Sequence, residues 1–144
     1  MALNVVAFTT GRLKFADSNK FSDAVQITVD GRDLYDELEA ARDPTDSDWE
    51  EGDAPGVRVE LVAAPSRHWI GEPDPNYSEG SLVVVFDCGC GEWECGGYLA
   101  RIDVGANDVT WSNFCGPRGG RVLPVGPFRF ARDQYEEALA ALGA

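Results

Sequence analysis

The chain has 144 residues, 44% hydrophobic and 10% aromatic, and 25 acids against 12 bases give it a net charge of −13. That length suits one domain and that composition excludes a disordered chain, while no apolar run approaches the ~18 residues of a membrane-spanning helix. The acids are unevenly placed: residues 1–100 hold 20 acids and 7 bases, residues 101–144 hold 5 of each, so the field over the first two-thirds repels nucleic acid and anionic membrane surfaces.

The opening Met1-Ala2-Leu3-Asn4-Val5-Val6-Ala7-Phe8 has no basic region before its apolar residues, so no signal peptide is expected and the expected location is cytoplasmic. Leu3–Phe8 is β-branched and apolar, Thr9-Thr10-Gly11 punctuates it, and Leu13 and Phe15 alternate around Lys14, which predicts strands. Val25, Ile27 and Val29 alternate as a further strand ending at Asp30-Gly31. Asp30 reads as a helix N-cap, with Leu34, Leu38 and Ala41 on one face of a helix over 32–42. Residues 43–53 carry six acids and no base and predict a solvated loop, in which Trp49 either folds back onto the domain or meets a partner.

Val57, Val59 and Leu61 alternate with Arg58 and Glu60 as a strand. A Pro-, Gly- and Ser-rich connection runs from Ala64 to Gly80, and a structureless loop this long in a small domain is either functional or wrongly assigned. Leu82–Phe86 is continuously apolar, the mark of a strand covered on both faces. Tyr98–Val104 and Val109–Cys115 flank Gly105-Ala106-Asn107-Asp108 and predict a hairpin. Carried back in register, it sets Val104 against Val109, Ile102 against Trp111 and Tyr98 against Cys115. Phe128 and Phe130 form a last short strand. A closing helix follows to about Leu142, with Tyr135, Leu139 and Leu142 inward and Asp133 and Glu136 as its capping box.

The densest chemistry is Cys88-Gly89-Cys90-Gly91-Glu92-Trp93-Glu94-Cys95. Cysteines two apart on extended backbone point the same way, and the hairpin register brings Cys115 toward Cys95. Four thiolates suit tetrahedral zinc, with His68, the single histidine, as a substitute ligand. The segment lacks paired C-x2-C knuckles, so buried free thiols and a Cys90–Cys95 disulfide stand as alternatives. A thiol nucleophile needs a base, and only His68 offers an imidazole, while Glu92 and Glu94 oppose a thiolate. No P-loop, G-x-G-x-x-G, H-E-x-x-H or G-x-S-x-G occurs. Arg118, Arg121, Arg129 and Arg132 cluster around the Gly-rich 116–121 turn, either to hold an anion or to pair with the domain's own acids.

Several stretches together resemble a family of uncharacterised bacterial proteins: Val29–Leu34, Pro65–Gly71, the Cys88–Cys95 segment running into Tyr98–Ile102, Val109–Phe114, and Gly126-Pro127-Phe128-Arg129-Phe130 with Gln134-Tyr135. The resemblance spans about residues 25–142. Where relatives carry a His-Arg pair after the Trp-Ser-x-Phe strand and a Trp after the last cysteine, this chain has Cys115-Gly116-Pro117-Arg118 and Gly96-Gly97. The resemblance implies one domain and brings no activity.

The expected architecture is a single α+β domain over residues 1–144, a twisted and mainly antiparallel sheet of five to seven strands with two helices packed on it. The leading functional expectation is a non-catalytic cytoplasmic binding or interaction protein with an acidic surface, no cofactor and a basic protein partner. The alternative is a small zinc- or thiol-dependent enzyme centred on Cys88, Cys90, Cys95, Cys115 and His68.

Overall fold

Two antiparallel sheets and two main helices make an α+β fold, as the sequence leads one to expect. The computed structural model describes residues 3–14, 21–41, 57–62, 66–86, 97–116 and 121–143. The acidic 43–53 segment with Trp49, the Cys88–Cys95 segment and Arg118 lie outside the described residues. In the first sheet β1 (Val6–Lys14) pairs along its whole length with β2 (Phe21–Val29), whose other edge takes the short β3 (Arg32–Asp33) and β4 (Val57–Arg58). The second sheet is a meander of β5 (Ser78–Glu79), β6 (Leu82–Phe86), β7 (Tyr98–Val104), β8 (Asp108–Cys115) and β9 (Phe128–Ala131). The strands thus divide between two sheets instead of forming one. A parallel bridge between Asn4 and Phe130 joins them, with the Asn4 N–H donating to the Arg129 carbonyl at 2.8 Å.

Local chemistry explains most elements, and four of them differ from the periodicity. Asp30 does not cap the first helix. Asp30 (φ 53°) and Gly31 (φ 80°) are the two central residues of a tight β2–β3 turn, where positive φ favours Asp and Gly. The helix α1 (Leu34–Ala41) is started by Asp33, whose carboxylate accepts from the N–H groups of Tyr35 at 2.9 Å and Asp36 at 3.3 Å. Only Val57 and Arg58 of the strand expected over Val57–Leu61 are extended; Val59–Val62 close a single helical turn, α2. The 64–80 connection is not structureless, because a turn at 68–71, a 3-10 helix over Pro75–Tyr77 and β5 order its described part. The closing helix α3 (Arg132–Ala140) begins after Ala131, without the Asp133–Glu136 capping box. Its first N–H donates instead to the Asn107 carbonyl at 3.0 Å.

The hairpin keeps Val104 against Val109 and Ile102 against Trp111, then slips by one residue. Asn113 adopts φ 55° and adds a residue to β8, so Cys115 lies opposite Leu99 and not Tyr98. That slip decides faces. Phe114 and Tyr98 enter the main core with Phe8, Ile27, Leu38, Trp69, Trp111 and Tyr135, whereas Cys115 joins Val84 and Leu99 in a small second cluster on the other side of the sheet. With Val83 and Val85 on one face and Val84 on the other, β6 is buried on both sides.

Candidate functional site

Among the described residues, the groups suited to chemistry are His68 and Cys115, and the turn after α2 holds the first of them. Ser66 donates its hydroxyl to the Leu61 carbonyl and accepts the His68 N–H at 3.2 Å, which fixes the turn that sends His68 and Trp69 inward. Both side chains reach the edge of β6 beyond β5. The Val84 carbonyl accepts from Trp69 Nε1 at 3.0 Å and lies 3.3 Å from His68 Nε2. These ring N–H groups occupy an acceptor that a further strand would otherwise take. His68 Nδ1 accepts the Asp74 backbone N–H at 2.9 Å, so the ring proton sits on Nε2 and points at Val84. Tyr77 lies edge-on to the imidazole at 6.4 Å.

This arrangement holds His68 neutral. The residue is 2% exposed, and burial pushes its pKa below the ordinary value, opposed by the Val84 carbonyl and by the Asp74 carboxylate. Both ring nitrogens are engaged by backbone groups, leaving no free lone pair for a metal ion or an incoming proton in this arrangement. Cys115, also 2% exposed, is a free thiol at the end of β8. Burial, then the charge of Glu79, pushes its pKa up, away from the thiolate that nucleophilic or ligand chemistry requires. Cys88, Cys90 and Cys95, the remaining sequence-selected ligands, lie outside the described residues. Among the described residues no group of three His, Cys, Asp or Glu side chains could hold a metal ion, and no helix is long and apolar enough to cross a membrane.

Aromatic pairing in the core extends the polar chain. Trp111 Nε1 donates to the Tyr135 hydroxyl at 3.2 Å, and that hydroxyl donates to the Trp69 carbonyl at 2.6 Å. Trp69, Trp111 and Tyr135 are 1%, 0% and 0% exposed, and burial raises the Tyr135 pKa, so its phenol stays protonated. A chain of donors therefore runs from β8 through α3 to the 66–70 turn and on to β6. The sequence signal was present, since Trp and Tyr buried in apolar strands carry polar tips that need partners, but the pairing was not readable from it.

Surface charge completes the picture. Among the described residues, five arginines pair with the chain's own acids: Arg32 with Glu37, Arg67 with Glu72, Arg101 with Asp103, Arg129 with Asp108 and Arg132 with Glu136. For Arg129 and Arg132 the self-pairing reading of the cationic cluster therefore holds. Hollows open between elements among the described residues, two of which bear on the surface. One, of about 280 Å3, lies beside the β2–β3 turn and is lined by Val29, Asp30, Arg32, Leu34, Glu37 and Phe128. The other, of about 290 Å3, runs between β1 and α3, bounded by Val6, Ala7, Phe8, Gln134, Glu137 and Ala138 with Ala141 at its end. Gln134 spans the two elements there, donating from Nε2 to the Val6 carbonyl at 2.6 Å and accepting the Val6 N–H at 3.1 Å.

No family model, curated protein or solved structure matches the chain.

Proposed function

We propose that this chain is a non-catalytic cytoplasmic binding protein that engages a basic protein partner through its acidic surface. The supporting observation is the charge balance. Five described arginines are already committed to acids of the same chain, so the net charge of −13 is a surplus left after internal pairing and is available to a partner. The engaged nitrogens of His68 and the raised pKa of Cys115 support the non-catalytic half of the reading.

Calorimetric titration with a lysine-rich peptide tests the proposal at low and high salt. Surface charge pairs are screened over ~10 Å at 0.1 M salt and ~3 Å at 1 M, so affinity should fall steeply between those conditions. Absence of salt-sensitive binding overturns the reading. Elemental analysis is the companion measurement: stoichiometric zinc in the purified protein would move the function to Cys88, Cys90, Cys95 and Cys115.

A further inference from the structure

We propose that the outer edge of β1, beside α3, receives an extended basic peptide as an added strand; the inference rests on the reading of the acidic surface above and gives it a location. The edge is defined by backbone alternation. Val6 directs its N–H and C=O to Gln134, away from β2, whereas the Val5 carbonyl accepts the Asp30 N–H on the β2 side. The β1–β2 register runs unbroken from Val6↔Val29 to Lys14↔Phe21, so Phe8 and Thr10 also turn their N–H and C=O outward. Gln134 occupies the edge only at Val6.

The hollow of about 290 Å3 lies where a continued strand would pass, alongside Phe8. Ala138 and Ala141 form its helical wall, and their small side chains leave the approach to the β1 backbone open. No backbone hydrogen bond among the described residues engages the outward N–H and C=O of Phe8 and Thr10, so both can pair with a peptide strand. Glu137, exposed at the same wall and without an ion pair among the described residues, supplies a counter-charge for a lysine or arginine of the peptide. Charge also selects the occupant. A second copy would bring together two chains that each carry −13, whereas a basic strand is attracted.

The test uses the full chain and two peptides of equal charge, one alternating Lys and Val (the Lys-Val peptide), the other the same sequence N-methylated at every backbone amide. Only the first can form a strand ladder, because N-methylation removes the N–H groups from both faces of the strand. The expected results are tighter binding of the Lys-Val peptide and slowed hydrogen exchange at the Phe8 and Thr10 amides. Thr10→Pro removes an outward N–H without touching the β2 ladder, and is expected to weaken the Lys-Val peptide about tenfold, the equivalent of ~1.4 kcal/mol. Ala141→Phe, at an exposed position, blocks the groove by bulk and should do the same if the proline variant folds poorly. Equal binding of both peptides, with no protection at Phe8 and Thr10, overturns the strand site and leaves the acidic-surface reading standing. Failure to bind either peptide overturns both.

Discussion

The Trp111 indole donates to the Tyr135 hydroxyl at 3.2 Å, and that hydroxyl in turn donates a hydrogen bond to the Trp69 carbonyl at 2.6 Å. Three elements far apart in sequence thereby share one buried polar contact, enclosed by aromatic rings such as Phe8, whose centroid lies 5.8 Å from Tyr135. The hydroxyl satisfies a donor and an acceptor that have no access to water.

Tyr135→Phe removes that hydroxyl and keeps the ring. It leaves the Trp111 N–H and the Trp69 carbonyl without this partner, so stability should fall by about 1–3 kcal/mol. Urea denaturation checks this, with an unchanged m-value showing that the loss is local to the folded state. A loss below a few tenths of a kcal/mol would mean that the hydroxyl is not bonded as described.

Stability should also fall on acidification through His68. Its folded-state pKa is depressed below the ordinary 6.5, so the unfolded chain takes up a proton that the folded chain resists. The stabilisation is complete above 6.5 and is lost as the pH falls from there through the folded value. Protonation would also set a ring N–H against the Asp74 N–H that Nδ1 now accepts. Thermal melts of the wild type and of His68→Gln between about pH 7.5 and pH 5 should show a steeper loss in the wild type. Parallel pH profiles would contradict this assignment.

Cys115 is expected to resist alkylation in the folded protein. Its thiol is buried against Val84 and Leu99, and burial and Glu79 both hold it protonated. Peptide mapping after iodoacetamide treatment should find Cys115 unmodified natively and modified in denaturant. Rapid native labelling would show that the thiol is exposed.

Asp33→Ala removes the acceptor for the Tyr35 and Asp36 N–H groups at the start of α1. The expected loss is about 1 kcal/mol, within the range of ~0.5–2 for helix N-caps. The same substitution at Asp30 should leave the helix start intact, because its carboxylate accepts from Asn4 Nδ2 and the Val5 N–H instead. Helix content by circular dichroism during unfolding distinguishes the two variants.

Much of this fold was legible without coordinates, because it rests on patterns local to a few residues. The alternation of Val25, Ile27 and Val29, the continuous run over Leu82–Phe86, and the four-residue turn between Tyr98 and Cys115 each express side-chain period and turn chemistry. The same logic found α1 and α3 by their apolar faces and misplaced their starts, since both Asp30 and Asp33 are competent caps and only the β2–β3 turn decides between them. It also extended the strand at Val57 too far, because two-residue alternation over Val57, Val59 and Leu61 does not reveal that the pairing with β2 stops at Arg58.

Composition and periodicity alone determined the α+β class, the acidic balance and most strand positions, all properties summed over neighbours in the chain. The tertiary structure decided the partners. The additional residue at Asn113 turned Cys115 away from the core face, Asp74 and Val84 closed both nitrogens of His68, and Tyr135 joined Trp111 to Trp69. Whether a polar side chain is reactive or satisfied depends on groups brought to it by folding, and in this chain those groups lie as many as 128 residues away.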